Sequence, residues 1–344
     1  MIGNLKKGDG SIYDVTKVLL SIMIICIHSC NIPDYVNPLL RIAVPLFFIM
    51  SSFFFWQKVI AASEPQKKSA IIRFVKRNFL LFLFWTIALS PKLDFSHYFV
   101  NGYIGVIQFV RDLLFCDTFK GSWFIMSSIQ ALYIIFLLSR YISNKSIFII
   151  SFSFYIFCCC SSNYFEEFNS YKTFQCVNDL IHHLVGEASL SFFVAMIWVV
   201  IGKIFAETQD LIINIVNNNI KIIYCLFLIT CFFLIVEHSL ISYKYGERLT
   251  SDCYMFLVPV CSSIFLLIYK YNTFSLKCHL FLRHVSTVVY CMHGFVLLEL
   301  SRNSFFADNV LILVLFTFII CFVATLLLHY MSKIKLFHFL SISF

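Results

Sequence analysis

Two polar side chains that are costly to bury among apolar residues lie in the first hydrophobic part of the chain. His28 lies near the end of one apolar run and Arg41 at the start of the next, in "CIHSCNIPDYVNPLLRIAVPLFFIMSSFFFW" (residues 26–56). A histidine titrates near neutral pH and can take a proton from a hydroxyl group, so His28 has the chemistry of a general base. The alternative is a neutral histidine hydrogen-bonded to a neighbouring helix. Arg41 could extend to the outer lipid headgroups and anchor the helix there. Against this, Arg41 and Pro45 lie on the same face of the predicted helix, and anchoring alone does not require so specific a sequence.

The polar residues before His28 are spaced as one stripe of a helix. Asp14, Lys17, Ser21 and His28 follow one another at intervals of three, four and seven residues, which places them on one face. At about 1.5 Å per residue the stripe covers roughly 20 Å of depth. It could therefore line a channel through most of a bilayer.

A second histidine lies on a polar stripe late in the chain, in "VSTVVYCMHGFVLLEL" (residues 285–300). Ser286, Tyr290 and His293 are four and three residues apart, again on one helical face. An ionisable side chain inside a membrane helix should face the interior of the bundle. His293 could be a hydrogen-bond partner in the core or part of a site, and the stripe favours the site.

A basic cluster opens the third apolar run. Arg73, Lys76 and Arg77 fall on one side of the predicted helix in "IIRFVKRNFLL". Such a cluster can anchor a helix on the cytoplasmic side of a membrane. It can also bind phosphate, because the planar guanidinium group fits phosphate oxygens.

The elements that must position these residues are membrane helices. The chain has 344 residues, of which 60% are hydrophobic and only 13% charged, against about a quarter charged in soluble domains. A spanning helix needs roughly 20 apolar residues. We therefore predict an all-α, polytopic bundle formed by one integral membrane domain over residues 1–344. Its ten spans are 13–31, 38–57, 71–91, 122–139, 146–162, 189–206, 220–238, 252–271, 284–301 and 309–331.

The charges of the loops support this count. Basic side chains occupy alternate loops and acidic ones the others, which predicts cytoplasmic N and C termini. The basic loops include Lys58, Lys67, Lys68, Arg140, Lys145, Arg283, Lys333 and Lys335, and the acidic ones Glu166, Glu167, Asp179 and Glu187. The net charge of +8 thus comes from short loops, and nucleic-acid binding is a poor interpretation. The 14 cysteines lie mostly in apolar runs and are expected to pack as small hydrophobic residues, with no metal site.

At these residues the sequence resembles the acyltransferase 3 family of integral membrane O-acyltransferases, which modify bacterial polysaccharides and lipid-linked sugars. Three segments carry the resemblance: "LLSIMIICIHSC", "RIAVPLFFIMSSFFFW" and "VSTVVYCMHGFVL". The basic start of the third span and the Trp-Phe opening of the fourth, at Trp123, also match. The sequence departs from the family pattern at Ser51–Ser52, Ser122 and Gly294, where Ser-Gly, His in some members and a common Pro would stand.

The resemblance implies a function and a mechanism. Acyl-CoA, with acetyl-CoA as the expected donor, would dock from the cytoplasm of a bacterium, with Arg73, Lys76 and Arg77 on its phosphates. His28 would take the proton of a hydroxyl group on a glycan or lipid-linked sugar, and Arg41 would stabilise the oxyanion or orient the base. A substrate cavity would be shaped by Ser286, Tyr290, His293 and Trp123. The expected location is the cytoplasmic (inner) membrane, with lipid as its surroundings and no metal required.

Other functions of a polytopic membrane protein stay open. A non-enzymatic exporter or carrier of a polysaccharide or lipid-linked sugar would move its substrate unmodified and consume no thioester. A polysaccharide polymerase would agree with the long outer segments 92–121 and 163–188, but the motifs do not match one.

Overall fold

The computed structural model describes residues 11–29, 33–92, 95, 96, 98, 102–115, 118–246, 253–272 and 275–344. Within these ranges the chain is helical and has no strand, which confirms the predicted all-helical fold. Short 3-10 segments lie at Asp34–Val36, Ser90–Lys92, Ala188–Leu190 and Lys335–Ser343. The α-helices are α1 (Ser11–His28), α2 (Asn37–Leu40), α3 (Ala43–Ile60), α4 (Glu64–Leu89), α5 (Gly102–Phe115), α6 (Ser122–Leu138), α7 (Asn144–Ser161), α8 (Phe165–Phe168), α9 (Lys172–Val185), α10 (Phe192–Glu207), α11 (Gln209–Asn218), α12 (Ile220–Tyr245), α13 (Leu257–Lys270), α14 (His279–Leu300), α15 (Ser304–Ala307) and α16 (Val310–Met331).

Each predicted span contains a helix, but not every helix has the length and composition of a span. Among the described residues six segments do: α1, α2 with α3, α7, α12, α14 and α16. A seventh exists if the segment Lys172–Leu190 and α10, which are bent by 45° relative to each other, form one span. α6 and α13 are apolar but shorter. The chain is a multi-pass membrane protein with six or seven supported spans; the count of ten and the cytoplasmic termini stay predictions.

The helix that carries the basic cluster begins earlier than the sequence suggested. α4 starts at Glu64, not at residue 71, because Ser63 and Gln66 close its first turn. The Ser63 N–H donates to Gln66 Oε1 at 3.1 Å, which satisfies one of the N–H groups that a helix start leaves open. The basic cluster therefore lies well inside a helix.

Close packing of α3 against α10 forms the centre of the bundle. A Cβ placed on Gly202 would lie 2.5 Å from the Ile49 carbonyl oxygen and 2.7 Å from Ser52 Cβ, so only glycine permits this approach of the two backbones. Ser52 Oγ donates to the Val199 carbonyl oxygen at 2.6 Å. Ser52 thus joins the two helices.

Pro45 lies in the first turn of α3, where a missing N–H leaves no hydrogen bond unmade. The break in the second predicted span falls just before it, at Arg41 and Ile42, between α2 and α3. Arg41 thus caps a short helix at one end of the bundle.

A buried carboxylate positions the short helix α13. Glu237, 6% exposed within α12, accepts hydrogen bonds from the N–H groups of Met255 (2.7 Å) and Phe256 (3.0 Å), just before α13 begins. The Tyr164 hydroxyl donates to the same carboxylate at 2.5 Å. Glu237 therefore satisfies the open N–H groups where α13 begins.

The two polar stripes meet because α1 packs along α14, with both helices running in the same direction. The Leu276 N–H donates to Ser11 Oγ at 2.6 Å near the start of both helices. His28 and His293 lie together near the far ends of α1 and α14. We call this contact the α1–α14 seam, and name its ends the Asp14 end and the His28 end.

Candidate active site

Two imidazole rings face each other at the His28 end of the seam. The ring centroids of His28 and His293 are 5.2 Å apart and the ring planes differ by 22°. His293 is fully buried, whereas His28 is half-buried. His28 is therefore the more accessible of the two rings.

The hydrogen bonds of His293 determine its tautomer. Nδ1 lies 2.7 Å from the Tyr290 carbonyl oxygen and 3.2 Å from that of Val289. A carbonyl oxygen only accepts, so Nδ1 carries the hydrogen and Nε2 of the neutral ring has a lone pair. Nε2 is buried and has no hydrogen-bond partner among the described residues. A buried polar atom without a partner costs stability, so it calls for an explanation such as a bound water, strain or a catalytic role.

Tyr290 joins α14 to the turn that precedes α6. Its hydroxyl donates to the Gly121 carbonyl oxygen at 2.8 Å. Gly121 has φ = +90°, and a Cβ placed on it would lie 3.2 Å from the Tyr290 oxygen, so glycine is required twice over. Ser122 Oγ accepts the N–H of Thr118 at 2.8 Å, which closes the turn.

Lys120 also lies in this turn, and no motif or stripe in the sequence pointed to it. A Cβ placed on Gly294 would lie 2.9 Å from Lys120 Cγ, and nearer still to its Cβ. The absence of a side chain at position 294 thus lets the lysine stem lie against α14, directly after His293. The charge of Lys120 acts on both His28 and His293. The only signal in the sequence was the departure at Gly294.

Arg41 approaches the same histidine from α2. Its Nε donates to Asn37 Oδ1 at 3.2 Å, and its charge acts on His28. Trp123 lies in the first turn of α6 and contacts Phe48 of α3, with ring centroids 6.1 Å apart.

The Asp14 end of the seam is a network of ion pairs. Asp14, only 1% exposed, accepts two hydrogen bonds from Arg283, each 3.0 Å long. His279 Nδ1 lies 3.0 Å from the same carboxylate, and Lys17 Nζ lies 3.9 Å from it. Asp14 was predicted on the polar stripe, whereas Arg283 and His279 were not predicted as its partners. Their positions continue the late stripe backwards: His279, Arg283, Ser286, Tyr290 and His293 alternate at four and three residues.

The basic cluster of α4 is only partly joined to this network. Arg77 acts electrostatically on Arg283 and Lys17. Arg73 and Lys76 are exposed on α4, and neither forms an ion pair with another described residue. The Asp14 end thus gathers more cationic groups than one carboxylate can neutralise.

Ser286 lies between the two ends. It is buried, and its hydroxyl donates to the Arg283 carbonyl oxygen at 2.9 Å. Ser21 on α1 is also buried and donates to the Val18 carbonyl oxygen at 2.7 Å. The seam therefore has small hydroxyl side chains, rather than bulky apolar ones, at these two positions.

A separate cavity of about 600 Å³ opens between the ends of α3, α6, α7 and α10. Its one buried cation, Lys203, donates to Glu207 at 2.7 Å and to Asn144, and lies 4.9 Å above the Trp56 ring. Because the charge of Lys203 is already neutralised by Glu207, we do not assign the reaction to this cavity. Among the described residues, no three His, Cys, Asp or Glu side chains lie close enough together to hold a metal ion.

Comparison with known proteins agrees with the geometry. The model of the acyltransferase 3 family, described as an acyltransferase domain, matches residues 11–330. No curated protein and no solved structure matches the chain. The matched range covers nearly the whole chain and contains both histidines and both ends of the seam. The chain belongs to the acyltransferase 3 family and is a membrane acyltransferase.

Proposed function

We propose that the protein transfers an acetyl group from acetyl-CoA to a hydroxyl group of a cell-surface glycan or lipid-linked sugar. The observation that carries this proposal is the stacked histidine pair at one end of a polar seam whose other end is cationic. Family membership supports acyl transfer, and we assign the donor to one end of the seam and the acceptor to the other.

The donor would bind at the Asp14 end. The phosphates of coenzyme A are anionic, and Arg77 and Arg283 present guanidinium groups there, with Arg73 and Lys76 nearby on α4. From Asp14 to His28 the helix rises about 21 Å, comparable to an extended pantetheine arm. The thioester would then lie beside the histidines while the nucleotide stays outside.

The transfer itself needs a base and a charge stabiliser. His28 takes the proton of the acceptor hydroxyl as its oxygen attacks the thioester carbonyl carbon. Arg41 stabilises the oxyanion that develops on the carbonyl oxygen. The carbon–sulfur bond then breaks, the thiolate of coenzyme A leaves, and the imidazolium of His28 returns a proton to it. The products are a sugar ester and free coenzyme A.

His293 and Tyr290 act as positioning residues in this scheme. His293 supports the ring of His28 from behind, and Tyr290 holds the turn that carries Lys120. Trp123 and Ser286 would complete the substrate cavity. The acceptor would enter at the His28 end, where His28 is half-exposed, in the inner membrane of a bacterium.

The test measures ester-linked acetate on the host's surface glycan. It compares the wild type, a deletion strain, and the deletion complemented with wild type, His28→Ala, Arg41→Ala or the control His182→Ala. His182 is exposed in α9. At matched membrane levels we expect the wild type and His182→Ala to restore acetate. In the His28→Ala strain the rate of acetate incorporation should fall at least a hundredfold, which is the usual contribution of a general base.

Two results would overturn the proposal. Unchanged acetate in the His28→Ala and Arg41→Ala strains would remove these residues from the reaction. Unchanged acetate in the deletion strain, with glycan retained inside the cell, would point to an exporter.

A further inference from the structure

Lys120 holds a position that the proposed reaction does not use. Its stem lies against Gly294, the residue after His293, in a space that any side chain at 294 would fill. The turn that carries it is fixed twice, by the Tyr290 hydroxyl on the Gly121 carbonyl and by Ser122 on the Thr118 N–H. The lysine is therefore held beside the histidine pair by the fold.

The ammonium group of Lys120 can bind an anion beside the histidine pair. The residue is exposed, and it forms no ion pair or hydrogen bond with any other described residue. Lys17 and Lys203, by contrast, have Asp14 and Glu207 as partners. Its stem lies against Gly294, the residue after His293, and its charge acts on both imidazoles, so a group bound to Lys120 would lie close to the histidine pair.

We propose that Lys120 is a specificity-determining residue that binds an acidic group, a carboxylate or a phosphate, on the acceptor. The inference rests on the proposed function and narrows it to acidic acceptors. A lysine ammonium is a compact point charge suited to such an anion. Because Lys120 is exposed while His293 behind it is buried, it meets the incoming acceptor rather than the thioester. It thus holds the sugar while His28 takes a neighbouring hydroxyl proton.

The first experiment needs no acyl transfer. Full-length protein in detergent is alkylated with bromoacetate, an anion, or bromoacetamide, its neutral analogue, and modification of His28 is quantified on peptides by mass spectrometry. The rate ratio of the two reagents reports the anion attraction at His28. We expect Lys120→Met to lower this ratio about threefold, the effect of one nearby charge in a wet site, while Lys120→Arg retains it.

The matched control is Lys172→Met, which removes an exposed lysine from α9. It should leave the ratio unchanged, because only a charge held beside the histidines acts strongly on His28. An equal ratio in wild type and Lys120→Met, or an equal fall in Lys172→Met, would overturn the proposal. Since both reagents act on the same protein sample, misfolding alone does not change their ratio in a charge-dependent way.

The second experiment asks which acidic group binds. Glucuronate, glucose 1-phosphate and glucose are each tested for protection of His28 against bromoacetamide. We expect protection by glucuronate if Lys120 takes a carboxylate, or by glucose 1-phosphate if it takes a phosphate, with glucose ineffective and protection lost in Lys120→Met. Equal modification rates with all three sugars would overturn the proposal. Failure of the acetate test with normal protection would instead count against acyl transfer alone.

Discussion

The two ends of the α1–α14 seam use similar residues in opposite ways. At the Asp14 end, a buried carboxylate accepts hydrogen bonds from Arg283 and lies within 3.0 Å of His279. At the His28 end, neither imidazole contacts a carboxylate of the described residues. His293 Nε2 has no partner there, and Lys120 is exposed beside it.

This difference indicates that the ion pairs of Asp14 stabilise the two helices, whereas the histidines at the other end serve the reaction. A buried charge with its partner holds helices together, and its loss leaves the partner uncompensated. A buried polar atom without a partner lowers stability, so the unpartnered Nε2 of His293 does not help to hold the two helices together. Substitution of Asp14 should therefore reduce mainly stability, and substitution of His28 mainly transfer.

The largest effect on stability should come from Asp14→Ala. This change leaves Arg283 and His279 without their acceptor inside the bundle. We expect a loss of about 2–3 kcal/mol, at or below the range for broken buried ion pairs, because the Arg283 side chain is 39% exposed and can reach water. Thermal unfolding in detergent, followed by the loss of monodisperse protein, measures it.

The control for Asp14 is the exposed ion pair of Glu64 and Lys67, 2.7 Å apart at the start of α4. Glu64→Ala should leave the melting temperature almost unchanged, because exposed pairs contribute little. The loss of stability in the double variant Asp14→Ala/Arg283→Met should be smaller than the sum of the losses in the two single variants. Equal melting temperatures for Asp14→Ala and Glu64→Ala would contradict a structural role for the Asp14 end.

The second effect in size should come from Gly294→Ala. The added methyl group collides with the Lys120 stem, and an overpacked site costs about 1–3 kcal/mol. Moving the turn also displaces Lys120 from His28, so transfer should fall at least tenfold, as small misplacements in active sites do. Initial rates and melting temperatures of the same preparations check both parts.

A second substitution separates the two consequences of Gly294→Ala. Lys120→Gly removes the atoms that collide, so Lys120→Gly/Gly294→Ala should recover the melting temperature of Lys120→Gly alone. Transfer should stay low, because the charge is missing. Recovery of full transfer in the double variant would show that Lys120 acts only through packing.

How much of this site the sequence predicts depends on periodicity. The intervals of seven on α1 and of four and three on α14 placed His28 and His293 on stripes of two helices, and the structure brings the rings together. Arg283 belongs to the same stripe, but beside a loop with other cations it was counted with the basic loops. Lys120 lies in a loop, where no periodicity exists, so only tertiary packing against Gly294 identifies it.

The fold was predictable to a similar depth. Hydropathy located a helix in each predicted span, because apolar runs of this length exclude other structures in lipid. Hydropathy does not fix helix ends, so the early start of α4 at its capping turn was missed. α6 begins directly after Gly121, whose φ is +90°, and α13 begins beside the Glu237 carboxylate, a contact distant in sequence.

A smaller effect distinguishes the cations of α4. Arg77 is the member of its cluster whose charge acts on Arg283. Arg77→Gln should raise the KM for acetyl-CoA about tenfold, equal to about 1.4 kcal/mol, with little change in kcat. Arg73→Gln should raise it less than threefold. Equal effects of the two variants on KM would mean that the phosphates bind along α4 rather than at the Asp14 end.

The smallest effect should come from Tyr290→Phe, which removes one hydroxyl group and keeps the ring. The lost hydrogen bond to the Gly121 carbonyl should cost about 1 kcal/mol, since that oxygen also accepts the Phe124 N–H at 3.2 Å. The turn that carries Lys120 then loses one of the two hydrogen bonds that hold it. The rate of transfer should therefore fall a few-fold, and the ratio of the bromoacetate to the bromoacetamide rate at His28 should fall with it. Tyr133→Phe, an exposed tyrosine of α6, is the matched control. If Tyr290→Phe lowers the melting temperature but not the ratio, Ser122 alone holds the turn, and Tyr290 belongs to the structural part of the seam rather than to its reactive end.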